Sequence, residues 1–191
     1  MTIVLLSLRR IHVPTRHRGL RVRFADTTWA YVFRETVVDR PAALEPCVLV
    51  VKFRLRSVHG RGHAFFRRES LLNTVLFAGF PGLVSKLWLA HDQRGVYRGL
   101  YEWDGPASAE IYARALWRIL MLVSLPDSID YQVLPGIRRD DLFTAVRWED
   151  PCASGAEWWR VTEVVPPVGR ASGKERPSGD DRSHGRRRWS G

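Results

Sequence analysis

Apolar and polar positions along the chain fall into a sequence of strand and helix periods. Thr27–Val38 places Trp29, Tyr31 and Phe33 two residues apart and predicts a strand. Val48–Arg56 sets Leu49, Val51, Phe53 and Leu55 on one face and Val48, Val50, Lys52, Arg54 and Arg56 on the other. Phe65–Ala78 carries Leu72, Val75, Leu76 and Gly79 at helical spacing. Leu83–Ala90 and Gly95–Trp103 flank the turn His91-Asp92-Gln93-Arg94 and predict a hairpin that Gly95 closes. Ala107–Ser124 predicts a second helix, with Pro106 in its first turn, Asp104 or Gly105 as cap and Pro126 past its end. Its inward stripe is Ala109, Tyr112, Ala113, Leu116, Leu120 and Val123. Ser128–Leu134 is the last core strand, closed by Pro135-Gly136.

The order strand, helix, strand, strand, helix, strand predicts an α+β fold, a ferredoxin-like βαββαβ unit. Its four-stranded antiparallel sheet would carry both helices on one face. The other face contains Val48, Val50 and Trp88 and needs cover, which predicts a homodimer closed through the open sheet face into an α/β barrel. The division that follows is a disordered basic arm at 1–23, a strand and connector at 24–46 and the ferredoxin-like core at 47–143. An arm or extra strand with Trp148, Trp158 and Trp159 follows at 144–168, then a disordered basic tail at 169–191.

Charge changes this picture little once it is divided. The net charge is +10 over 191 residues. Residues 1–23 hold six arginines and no acid, and residues 169–191 hold seven basic residues against three acidic ones. The interval 24–168 is neutral, so the basicity predicts solvated tails and not a nucleic-acid-binding domain. Two cysteines, Cys47 and Cys152, form no disulfide framework and read as reduced thiols of a cytoplasmic protein. MTIVLLSLRR has its charges after its apolar run, unlike a signal peptide, and no apolar run approaches the ~18 residues that span a bilayer.

The motifs FAGFPGLVSKLWL, GVYRGLYEWDGPASAEIYA and SIDYQVLPG resemble the small putative mono-oxygenases of bacteria in the dimeric α/β barrel superfamily, which includes the antibiotic-biosynthesis mono-oxygenases. The resemblance spans roughly residues 48–136, the scale of one domain. It implies a cavity between two sheets and a tryptophan at the end of the third core strand, a place that Trp103 matches. It implies oxidation of a small anionic or phenolic molecule with no tightly bound cofactor. Haem-degrading members add an iron-ligating helix histidine, but Ala107–Ser124 contains no histidine and haem is not carried over.

The ligand-cavity candidates are therefore Lys52, Arg54, Lys86, Trp88, Tyr97, Tyr101, Trp103 and Asp130. The cations would hold an anion and the rings would position an aromatic substrate. Leu83, Leu87 and Leu89 are expected to face the helices, which sends Lys86 and Trp88 into the barrel, with Asp130 or Glu102 as possible partners of Lys86. No catalytic residue is assigned and no metal site is expected. His59 and His63 lie four apart in a glycine-rich loop without a third ligand. Structural alternatives stand beside these readings. Lys52, Arg54 and Asp130 would also serve as a cross-strand ion network, and the rings as core packing. A non-catalytic ligand-binding or scaffolding barrel is the second functional reading. RNA binding through the sheet or the tails is the third, carried only by a faint motif at Arg98-Gly99-Leu100-Tyr101.

Overall fold

The computed structural model describes residues 11–56, 80–144 and 157–167. Its strands are β1 (Ile11–His12), β2 (Arg21–Phe24), β3 (Trp29–Val38), β4 (Pro46–Arg54), β5 (Leu83–Leu89), β6 (Val96–Asp104), β7 (Asp130–Pro135) and β8 (Val161–Val165). The helices are α1 (Pro106–Val123) and the short α2 (Arg139–Thr144), with a 3-10 turn at Pro126–Ser128. The expected helix Phe65–Ala78, the pair His59 and His63, Trp148 and the 169–191 tail lie outside the described residues.

The fold class differs from the expectation. One eight-stranded antiparallel sheet runs in the order β7-β4-β6-β5-β3-β2-β8, with β1 added beside β3. It is not a four-stranded ferredoxin-like unit. The strands expected of the core are neighbours, but the sheet continues past β5 into β3, β2 and β8. β2 comes from the stretch expected to be a basic arm, β3 is the expected strand Thr27–Val38, and β8 lies in the stretch expected to be an arm or extra strand. The sheet curls so that its own far strands close its inner face. Val22, Phe24, Ala30, Val32, Trp158 and Val161 fill one core with Val48, Val50, Leu87, Leu89 and Leu100. The face reserved for a second subunit is thus covered by the chain itself, which removes the reason for a barrel dimer. Among the described residues no helix is long and apolar enough to cross a membrane.

The outer face carries α1. Gly105 opens the helix at φ 94° with Pro106 in the first turn, and Ser124 ends it in extended conformation. Ala109, Tyr112, Ala113, Leu116 and Leu120 are buried on the sheet, as the periodicity predicts, while Val123, expected on the same stripe, is exposed in the last turn. They meet Cys47, Leu49 and Val51 of β4 and Tyr101 and Trp103 of β6 in a second core. Leu49 lies opposite Tyr101 and Cys47 opposite Trp103, and directly paired residues share a face.

Candidate functional site

The eight candidates do not converge on one cavity. Tyr97, Tyr101 and Trp103 lie on the outer face with α1, where Trp103 is fully buried with its ring centre 4.9 Å from that of Tyr112. Tyr97 stacks on Phe53 at 5.7 Å. Lys86 and Trp88 lie on this same face, since Lys86 pairs in register with Tyr101. Lys52 and Asp130 form a 3.4 Å ion pair on the inner side of the sheet, where Lys52 also stands 4.2 Å from the Trp158 ring centre. Arg54 is exposed. The expected mixed pocket is therefore split by the sheet.

A bulge explains the misplacement. The β5–β6 register shifts between Leu83 and Ser85. A bulge inserts one residue and reverses the alternation beyond it. Leu83 consequently shares the outer face with Lys86 and Trp88, while Leu87 and Leu89 turn inward.

What the fold does assemble on the outer face is a cluster of cations and rings. The Lys86 ammonium lies 3.1 Å from the ring centre of Trp88 and 4.5 Å from that of Tyr101. Arg34 of β3, in register with Trp88, sets its guanidinium 4.3 Å from the same Trp88 ring. Trp88 donates its indole N–H to Thr36 Oγ1 at 3.2 Å, which fixes the ring. Burial, reinforced by the positive charge of Arg34, holds the Lys86 pKa well below its ordinary value. Burial also lowers Arg34, to about 10. Tyr101 and Tyr112 sit 5.3 Å apart, and burial pushes both phenols up, so both remain O–H donors at neutral pH. The indole N–H of Trp103 is buried and has no hydrogen-bond partner among the described residues.

Phe33 carries the cluster outward. Its ring stands 6.5 Å from Trp88 and 5.9 Å from the Arg34 guanidinium. It also lines a cleft of about 340 Å³ with Arg18, Gly19, Tyr31 and Val32. That volume lies within the range of small-molecule sites.

Two ion clusters cap the inner core, and neither was anticipated. At one end Arg139 Nη1 stands 3.0 Å from Glu35 Oε1 and donates to Ser85 Oγ at 2.9 Å, while His17 Nδ1 meets Glu35 Oε2 at 2.9 Å. Burial raises the Glu35 carboxyl, but the hydrogen bond from His17 and the charge of Arg139 outweigh it and hold the pKa below its ordinary value. At the other end Arg98 reaches Asp92 at 2.7 Å and Asp26 at 2.6 Å. One sequence signal was available: Arg34 and Glu35 are adjacent in an apolar strand, so one charge must enter each face. Asp130 pairs with Lys52, and Glu102 accepts from Ser85 on the inner face, so neither is positioned as the expected partner of Lys86.

Compared with protein-family models, curated proteins and solved structures, the chain matches none. The resemblance to the mono-oxygenases rests on its sequence motifs alone.

Proposed function

We propose that the chain binds a small anionic aromatic molecule where the cleft of Arg18, Tyr31 and Phe33 meets Arg34, Trp88 and Lys86. The observation that carries this reading is the placement of two cationic side chains against one indole ring, at 4.3 and 3.1 Å. The charge of Arg34 reaches Lys86 and disfavours its charged form, and burial adds to that cost. A carboxylate or phenolate that reaches the cluster is attracted by both cations, and its ring gains stacking area on Phe33 and Trp88.

The reading is one of binding. The expected oxidation gave its electrostatic part to Lys52, Arg54 and Lys86, and these residues occupy different faces of the sheet. The test is titration of the chain with 2-naphthoate, followed by tryptophan quenching and by saturation-transfer NMR. Arg34→Met and Lys86→Met are each expected to weaken binding about tenfold or more, the scale of a charged hydrogen bond. Equal affinity in both variants, or no binding of naphthoate at millimolar concentration, rejects the site.

A further inference from the structure

We infer that the outer face of the β2–β3 hairpin is a binding platform for single-stranded nucleic acid. Four side chains define it. Arg21 pairs in register with Tyr31, and Arg23 with Trp29, so guanidiniums and rings lie side by side on one face. The alternate residues Val22 and Ala30 point into the inner core. The guanidiniums of Arg21 and Arg23 stand 4.8 and 5.9 Å from the Trp29 ring centre. Tyr31 is 41% exposed, a high value for a large ring on a central strand. Tyr31 also stands at the rim of the small-ligand cleft, and the Lys86 variant below separates the two sites.

Chemistry and spacing select the occupant. Successive same-face residues on an antiparallel strand are about 6.8 Å apart. That is about twice the 3.4 Å rise of stacked bases, the reach of a single strand drawn out along the hairpin. Every base presents a π face, and each phosphate suits a guanidinium. Acidic groups offset little of this charge. Asp26 is engaged by Arg98 at 2.6 Å and by the Thr28 hydroxyl. Glu163 of β8 meets Arg23 at 3.5 Å, with both side chains nearly half exposed, an arrangement that water screens. Arg16 and Arg18 are exposed beside the hairpin, and Arg9 and Arg10 precede it in sequence. An acidic peptide would use the arginines and leave the rings unused. A membrane surface also engages Trp, Tyr and Arg, and the vesicle arm of the test distinguishes it.

The test is fluorescence anisotropy of fluorescein-labelled U20 with the full chain at 50 and 200 mM salt. Trp29→Ala is expected to weaken binding about 5- to 100-fold, as removal of one stacking ring does, while Trp29→Phe retains most of it. Arg21→Gln with Arg23→Gln is expected to reduce the log–log salt slope by about 1.4, two phosphate contacts on a single strand. Unchanged melting of each variant confirms that the surface and not the fold was altered. Lys86→Met, the probe of the small-ligand site, is expected to leave U20 affinity within twofold. The platform is overturned if U20 does not bind, or if the hairpin variants bind it as the unaltered chain does, which assigns binding to the basic tails. A stronger preference for duplex, or Trp29-dependent binding only of phosphatidylserine vesicles, overturns it equally. Loss of U20 on Lys86→Met alone would move the strand to the deep site and reject the surface.

Discussion

Lys86 and Trp88, two residues apart on β5, put an ammonium 3.1 Å from the centre of an indole ring. Both are buried, at 5% and 8% exposure, and Arg34 approaches the same ring. A cation–π contact offsets part of the cost of burying a charge but not the repulsion of a second cation. The balance is visible in the direction of the Lys86 pKa, lowered first by burial and then by Arg34.

That direction fixes a pH dependence. Above the lowered folded pKa and below the ordinary 10.5, the unfolded chain holds a proton that the folded chain has released. Stability therefore rises with pH across this window and is lost as pH falls through the folded pKa. Urea denaturation at intervals from pH 7 to 9 is expected to show a steeper rise for the unaltered chain than for Lys86→Met. The difference between the chains isolates Lys86, because Cys47, whose thiol burial pushes up, is common to both. Parallel slopes would refute the expectation.

Gly99 is the second fixed point of this face. A Cβ there would come within 2.7 Å of Tyr101 Cε2, because the Tyr101 ring folds back over the glycine. The ring is held by Lys86 on one side and Tyr112 on the other and has little room to yield. Gly99→Ala is expected to destabilise the fold by ~1–3 kcal/mol, as overpacking does. Tyr101→Leu is expected to reduce that cost in a double-mutant cycle. Additive effects of the two substitutions would show that the contact is relaxed elsewhere.

How much of this was legible follows from particular residues. The α1 stripe from Ala109 to Leu120 and the alternation of β4 are legible because both elements are regular there, whereas Val123, in the last helical turn, is exposed. The faces of Lys86, Trp88, Leu87 and Leu89 were not, because the bulge between Leu83 and Ser85 leaves no glycine or proline to mark it. The side of Tyr97, Tyr101 and Trp103 was taken from the family resemblance, and the pairing Leu49–Tyr101 places it opposite. β2 was present in the sequence as Arg21-Val22-Arg23-Phe24, a period of two. Six arginines without an acid made residues 1–23 read as a solvated arm and hid the apolar half of that alternation. The curl of the sheet depends on pairings between residues more than a hundred positions apart, such as Val22 with Val164, which no local pattern encodes.

Glu35 depends on its two partners. It is 2% exposed and is held between His17 and Arg139. Arg139→Met removes the permanent cation and the donor to Ser85, and is expected to cost about 3–5 kcal/mol, the range for breaking a buried pair on one side. The lowered Glu35 pKa contributes stability that is present above the ordinary carboxylate range and lost as pH falls through the folded value. Acid titration of the melting temperature is expected to be flatter for Glu35→Gln between pH 5 and 3. An unchanged acid limb would show that Glu35 does not carry this linkage.

Arg98 joins two turns of the curled sheet. Its guanidinium is 1% exposed, and it holds Asp92 of the β5–β6 turn at 2.7 Å and Asp26 of the β2–β3 turn at 2.6 Å. Asp92 in turn accepts the backbone N–H groups of Arg94 and Val96 and so shapes the hairpin loop that Gly95 closes. The planar fork engages two carboxylates at once, and a lysine ammonium on a flexible stem does not reproduce that geometry. Arg98→Lys is therefore expected to lose a substantial part of what Arg98→Met loses, and Arg98→Met to cost about 3–5 kcal/mol by stranding Asp92 in the core. Because Asp26 belongs to the β2–β3 turn, amide exchange should accelerate in β2 and β3 as well as in the β5–β6 turn. Acceleration confined to the β5–β6 turn would mean that the curl is held by its apolar core alone and that Arg98 only orders its own loop.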